Sequence, residues 1–366
     1  MPGRRLRKGT EFPDTSRYLI VTYGRYHQPE LTYKSRHNST NPQVFFDFPG
    51  SSHYHSTSNG LQAQDTTNLM NDDTNRLSAL RDEIDAIDRN LHELIMRRTE
   101  VVEGVRAAKE GAKVMIRPSR EAEILYRLTA EHNGGFPKRE LARIWRELIV
   151  ATLSFEGPFS VAVFEPEEEA GYWDLARDQY GTFTKLVRHG SVRAVVEAVR
   201  EQDATLGILP FPHRDRDELW WRFLVNEAPE TPKVIARLPF IPGSNVQNPN
   251  LEALVICPVE QEETGRDRTF MAVETQEDIG YPVIENALSQ AGLSASFRQL
   301  WHDPNRPEEW TYLIEVFGFV IASDQKMVRL HDALGTRITR ILHLGGYATP
   351  LSIEDLEQDD RGETHG

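Results

Sequence analysis

The stretch that decides the fold of the N-terminal half runs from Leu77 to Lys109 and reads LSALRDEIDAIDRNLHELIMRRTEVVEGVRAAK. Its apolar residues recur at alternating intervals of three and four, a pattern typical of a long helix with one face packed against a partner. We call this set the apolar seam; its members are Leu77, Leu80, Ile84, Ile87, Leu91, Leu94, Val101, Val105 and Ala108. At 1.5 Å per residue, the sequence predicts one helix about 50 Å long.

Two cations share the face of the seam. Arg98 occupies the position between Leu94 and Val101 where an apolar residue is expected, and an unpaired charge buried there would be costly. Lys109 follows three turns later, only about 20° around the helix from Arg98. Either Arg98 pairs with a carboxylate or reaches water along its aliphatic stem, or both cations hold an anionic ligand. We favour the anionic ligand.

Two shorter helices follow the long one. Pro118 predicts a helix start near Ser119, and Arg117, Arg120 and Glu121 crowd that N-terminus, where main-chain N–H groups favour an anion. Pro137 opens the next helix. Its apolar stripe is Leu141, Ile144, Trp145, Leu148, Ile149, Thr152 and Leu153, and Glu156 continues the same face. The Glu156 carboxyl either faces water at a frayed end or is partly desolvated with a raised pKa.

Charge is distributed unevenly along the 366 residues, whose formal net charge is −14. Residues 77–157 contain 14 basic and 14 acidic side chains, so the acidic surplus lies in residues 158–366. The acidic net charge argues against a nucleic-acid partner. The absence of an apolar run of 18 residues argues against a membrane span. The single cysteine, Cys257, and the lack of a secretory signal favour a cytoplasmic location.

Residues 77–157 closely resemble the all-helical chorismate mutase domain at the N-terminus of bifunctional chorismate mutase–prephenate dehydratases. The resemblance rests on five spaced matches in order: LRDEIDAID, RR, AAK, RPSRE and WRELIVATLSFEGP. It implies a domain-swapped homodimer that binds chorismate and needs no metal or cofactor. It implies Arg98, Lys109 and Glu156 as catalytic residues, and a substrate-binding set of Arg81 (from the other subunit), Arg98, Lys109, Arg117, Arg120, Glu121, Thr152 and Glu156.

The second half resembles the same family less closely. Residues 158–262 alternate strand and helix signals like the start of a prephenate dehydratase domain, but Leu251, Glu252 and Ala253 stand where the family has its catalytic Thr-Arg-Phe. Phe211 to Arg214 replace its Glu-Asn-Ser set. Residues 263–345 resemble an amino-acid-sensing ACT domain, yet Ile279–Pro282 and Gln299–His302 do not keep its phenylalanine-binding sequences.

The expected protein is therefore multidomain: an all-α mutase domain followed by a truncated α/β part and an α+β ACT-like part. The predicted boundaries are a disordered leader at 1–75, the mutase domain at 76–157, the dehydratase-like domain at 158–262, the ACT-like domain at 263–345 and an acidic tail at 346–366. The predicted function is rearrangement of chorismate to prephenate. Two alternatives remain: a bifunctional mutase and dehydratase, and a non-catalytic regulator acting through the ACT-like part.

Overall fold

The computed structural model describes residues 62–108, 116–153, 159–167, 170–213, 219–243 and 248–357. The chain divides into two compact units, residues 1–75 and 76–366. Within the first unit, residues 62–75 are described and are helical. The second unit contains most of the long helix, the two predicted shorter helices and a large mixed sheet.

Three helices open the described chain: α1 (Gln62–Ala108), α2 (Pro118–Glu131) and α3 (Lys138–Leu153). The predicted starts of α2 and α3 are confirmed. By contrast, α1 begins at Gln62, so residues 62–75 are not the disordered leader that the sequence predicts. The polar run before Leu77 contains neither Pro nor Gly, so nothing in it stops the helix from extending towards the N-terminus.

The apolar seam of α1 is exposed in the single chain. Each large seam residue from Leu77 to Val105 keeps between 49% and 64% of its surface open to solvent. A face this apolar and this long is characteristic of a helix with a packing partner. None of the described helices combines the length and the apolar character needed to cross a membrane.

The rest of the chain alternates strands and helices. The strands are β1 (Ser160–Phe164), β2 (Lys185–His189), β3 (Leu206–Pro210), β4 (Lys233–Leu238), β5 (Ala253–Cys257), β6 (Asp267–Thr275), β7 (Ala295–His302), β8 (Trp310–Phe317) and β9 (Ile338–Ala348). The helices are α4 (Tyr172–Tyr180), α5 (Val192–Arg200), α6 (Tyr281–Gln290), α7 (Gln325–Leu334) and α8 (Ile353–Leu356). The nine strands of the described residues form one sheet in the order β2-β1-β3-β5-β4-β9-β6-β8-β7.

Two kinds of topology meet in this sheet. β1 pairs in parallel with β2 and β3, as in α/β proteins, and β3, β5 and β4 then pair antiparallel. From β6 onward the order of elements is β-α-β-β-α-β, with β9, β6, β8 and β7 paired antiparallel. This second arrangement is the ferredoxin-like split motif.

Gly345 lies at the junction of the two arrangements. It pairs with Val234, which joins β9 to β4 in parallel. Its φ is +97°, and a Cβ at this position would collide with the main chain of Val234. Glycine is therefore required here for close approach of the two backbones. Because of this pairing, the predicted boundary at 262/263 falls between strands of one continuous sheet.

The α2–α3 hairpin packs against the end of the sheet. Ala122, Leu125 and Ala142 form a small core with Phe240 and with residues of the C-terminal segment, namely Ala348, Leu351 and Leu356. β9 continues to Ala348 and α8 follows it, so residues 346–357 are not the solvated tail that the sequence predicts. Burial of two leucines and the capping box at Ser352 account for the order of this acidic segment.

Candidate active site

The side chain of Arg98 extends from the exposed seam of α1 to α3. Its Nη1 donates a hydrogen bond to the main-chain oxygen of Leu148 over 3.2 Å. The side chain is partly buried, and burial lowers the pKa of its guanidinium. The observed partner of Arg98 is therefore neither of the two predicted ones, a carboxylate or a ligand. It is a main-chain carbonyl, which holds the cation in place without neutralising it.

Thr152 lies at the same place. Its buried hydroxyl donates to the main-chain oxygen of Ile149 over 2.7 Å and is 3.5 Å from that of Leu148. The structure thus brings Arg98 and Thr152 together at the last turns of α3. This is the part of the predicted substrate-binding set that the described residues assemble.

The residues at the start of α2 have other partners. Arg117 forms a bidentate pair with Glu262, with its closest contacts at 2.9 Å, and Arg120 pairs with Glu123 at 2.9 Å. Both pairs are exposed, and such pairs contribute little to stability. Glu121 faces inward, and its Oε2 lies 3.9 Å from Nη1 of Arg146. Arg117 and Arg120, at the start of α2, therefore remain available for exchange with an incoming anion.

Arg81 and Arg98 are separated along a single helix. Seventeen residues of continuous helix put them about 25 Å apart, too far for one small molecule to bridge. Lys109 and Glu156 lie outside the described residues.

The sequence pattern missed one functional candidate, Arg146. The predicted stripe of α3 included Ile144, but Ile144 is exposed and the buried face instead contains Ala142, Arg146, Ile149, Val150, Thr152 and Leu153. The spacing of Ala142, Arg146, Ile149 and Leu153 was the available signal, since intervals of four, three and four mark one helix face. Burial lowers the pKa of Arg146, and the nearby Glu121 carboxylate opposes that change.

The positions expected for a dehydratase motif are occupied by internal contacts. Arg237 donates to Glu252 at 2.5 Å and to the hydroxyl of Tyr347 at 3.1 Å, and its guanidinium lies 4.4 Å from the centre of the Phe211 ring. Leu251 is buried. The cation and the carboxylate here neutralise each other, and position 251 offers no hydroxyl for chemistry.

The positions expected for an amino-acid effector are also used within the fold. Gln299 accepts a hydrogen bond from the indole of Trp221 at 2.8 Å and donates to the main-chain oxygen of His213 at 2.9 Å. The main-chain N–H of Gly280 donates to Asp278 and to the hydroxyl of Tyr312. These contacts tie the strands and loops together.

Comparison with known proteins identifies the helical segment. Residues 80–157 match the family model of chorismate mutase type II. The bifunctional chorismate mutase/prephenate dehydratase of Pseudomonas aeruginosa is 38% identical over 101 residues, which cover 26% of this chain and 28% of the relative. The protein of the same name from Aquifex aeolicus is 32% identical over 139 residues, or 37% of this chain and 38% of the relative.

Two solved structures are also similar. The prephenate dehydratase of Streptococcus mutans has 15% sequence identity and a TM-score of 0.37, covering 52% of this chain and 98% of that one. The prephenate dehydratase of Arthrobacter aurescens has 13% identity and a TM-score of 0.40, covering 53% of this chain and 92% of that one.

The chain spans between 28% and 38% of the length of the two curated relatives described above. The matched segment coincides with the helices that carry Arg81, Arg98, Arg120, Glu121 and Thr152. The resemblance predicted from the sequence is therefore confirmed: over residues 80–157 this chain is similar to chorismate mutase type II and to the chorismate mutase–prephenate dehydratase proteins.

Proposed function

We propose that residues 76–157 catalyse the rearrangement of chorismate to prephenate. The observation that carries the proposal is Arg98, a cation held on an otherwise apolar helix face inside a segment that matches chorismate mutase type II. The reaction is a concerted rearrangement of a dicarboxylate, so it requires neither a metal nor a cofactor. An isomerase of this kind needs cations that grip the carboxylates and stabilise the charge that develops on the breaking bond.

Each residue of the predicted set has a role in this mechanism. Arg98 and Arg120 bind carboxylates, and exposed Arg120 exchanges its surface partner Glu123 for the substrate. Lys109 and a protonated Glu156 donate to the ether oxygen as the C–O bond lengthens, so they act more strongly in the transition state than in the ground state. Arg117, Glu121 and Thr152 complete the wall of the pocket.

The active form is proposed to be a homodimer in which each site takes Arg81 from the partner. Two observations support it: Arg81 and Arg98 are about 25 Å apart on one helix, and the seam between them is exposed in a single chain. Packing two antiparallel copies of α1 along this seam covers the apolar face and brings Arg81 of one copy towards Arg98 of the other.

For the C-terminal half we propose a shortened dehydratase-like part and an ACT-like part without dehydratase activity, in a cytoplasmic protein. The ion pair of Arg237 with Glu252 and the buried Leu251 support the loss of catalysis. The β-α-β-β-α-β order from β6 to β9 supports the ACT-like assignment.

One assay separates this proposal from its two alternatives. Purified full-length protein is given chorismate, and loss of chorismate and formation of phenylpyruvate are followed separately. The proposal expects chorismate loss without phenylpyruvate above the spontaneous rate. Phenylpyruvate above that rate supports a bifunctional enzyme, and no chorismate loss leaves the non-catalytic regulator.

A further inference from the structure

A cavity of about 610 Å³ opens between α3 and α4, and none of its lining residues belongs to the set assigned to the mutase. Its volume is within the range of roughly 300–1,000 Å³ that small-molecule sites occupy. Four arginines line it: Arg139, Arg143, Arg146 and Arg177. Cations at this density around one cavity repel each other unless negative charge lies between them.

Arg146 is the residue that points to a ligand. Only 5% of its surface is exposed, and within the described part of the chain its Nε and Nη1 have no hydrogen-bond partner. The Glu121 carboxylate is 3.9 Å from Nη1, beyond hydrogen-bonding distance. Its guanidinium also lies 5.3 Å from the centre of the Phe240 ring. A desolvated guanidinium with unsatisfied N–H groups is costly to the fold unless something else binds it.

The charged groups around the cavity indicate the charge of the ligand that it accommodates. Arg143 is already paired with Asp178 at 2.7 Å. The other charged lining groups are Arg139, Arg146 and Arg177 with Glu140 and Asp174, and the Glu121 carboxylate, outside the lining, lies 3.9 Å from Arg146. Arginines outnumber carboxylates in the lining by four to three, which favours an anionic ligand.

The backbone also makes room for one of these cations. Gly243 has a φ of +83°, and a Cβ there would lie 3.1 Å from Cζ of Arg139. A Cβ would require the Arg139 guanidinium to move by a few tenths of an ångström, and the positive φ itself favours glycine.

We propose that this cavity binds a small organic acid whose oxyanion, a carboxylate or a phosphate, is held by Arg146, with Arg139 and Arg177 beside it. The planar guanidinium matches both groups by paired N–H donors. Glu140 and Asp174 accept hydrogen bonds from hydroxyl or ammonium groups of the same molecule. None of the lining residues belongs to the mutase set, and since Glu121 of that set lies beside Arg146, Arg139 and Arg177 are the positions that test the cavity separately from the mutase site.

The test measures binding by the full-length protein of inorganic phosphate and of acetate, by calorimetry and by the shift in melting temperature. Chloride at equal ionic strength is the control. The expected result is saturable binding of at least one oxyanion and a rise in melting temperature of about 2–4 °C at saturation. The two probes distinguish a phosphate site from a carboxylate site.

Variants locate the site. Arg177→Gln and Arg139→Gln, both at exposed positions, should each weaken binding at least about five-fold, and Arg146→Met should abolish it. Arg329→Gln, at an exposed position on α7, is the matched control and should bind like the parent. If Arg146→Met does not fold, the two exposed variants decide. No saturable binding of either oxyanion, or binding that survives both exposed variants, overturns the proposal.

Discussion

Arg98 donates a hydrogen bond to the main-chain oxygen of Leu148, which connects the long helix α1 to the last turns of α3. Thr152 places its hydroxyl at the same carbonyl. Among the residues that the structure describes, only Nη1 of the guanidinium has a hydrogen-bond partner, which leaves its other N–H groups for an anion. The pairing explains how a cation can be held at the seam in a fixed position and still serve a substrate.

Replacing Arg98 by alanine should lower kcat for chorismate by at least about 100-fold, because it removes a preorganised positive group next to the substrate. Arg97→Ala is the matched control, since Arg97 is the neighbouring exposed residue and lies off the seam. Steady-state kinetics and circular dichroism of both variants provide the measurement. Equal activity of the two variants would show that the seam argument is wrong.

The proposed role of Glu156 predicts a specific pH dependence. Only the protonated carboxyl can donate to the ether oxygen, so the proposed role requires a raised pKa, and activity should fall as the pH rises through that pKa. Glu156→Gln donates at every pH and should give a flat profile. The measurement is kcat/KM between pH 5 and pH 9 for both proteins. A parent enzyme with a flat profile contradicts the role.

A charge in the apolar seam should separate the proposed dimer. Leu91→Asp places a carboxylate on the exposed apolar face, where packing against a second copy would desolvate it. His92→Asp introduces the same charge at the next position, off the seam, and should leave the mass of two chains unchanged. Light scattering after size exclusion gives the mass. Dimers of both variants would show that the seam is not the interface.

The C-terminal half should form no phenylpyruvate from prephenate above the spontaneous rate. The reason is local, since Leu251 carries no hydroxyl and the Glu252 carboxylate is bound to Arg237. The bifunctional relative from Pseudomonas aeruginosa is the positive control in the same assay. Phenylpyruvate formation that scales with the amount of protein would restore the bifunctional alternative.

The ion pair between Arg266 and Asp355 should make the free energy of unfolding depend on pH in the moderately acid range. The hydrogen-bonded ion pair with Arg266 lowers the pKa of Asp355 to about 2. Its contribution should therefore be full above the ordinary value of 3.8 and be lost as the pH falls towards about 2. Asp355→Asn should cost about 1 kcal/mol of unfolding free energy at pH 7.

Urea unfolding of the parent, Asp355→Asn and Glu354→Gln between pH 3 and pH 7 tests this. Glu354 is exposed on the same short helix, so its variant should match the parent throughout. A difference between the parent and Asp355→Asn that does not shrink towards pH 3 would mean that the ion pair is not its source.

Local patterns determined the helical part of this protein. The spacing of the seam from Leu77 and the prolines at 118 and 137 predicted three helices, and the structure has them. The same spacing singled out Arg98. Such inferences succeed because helix period, capping and chain breaks depend on residues a few positions apart.

Tertiary contacts decided the rest. Joining β4 to β9 depends on Val234 and Gly345, and ordering of the acidic segment depends on Leu351 and Leu356 packing against the α2–α3 hairpin. The burial of Arg146 likewise depends on which face of α3 meets the rest of the fold. These features join residues distant in the chain, and no local period encodes which distant surfaces meet, so only the folded structure shows them.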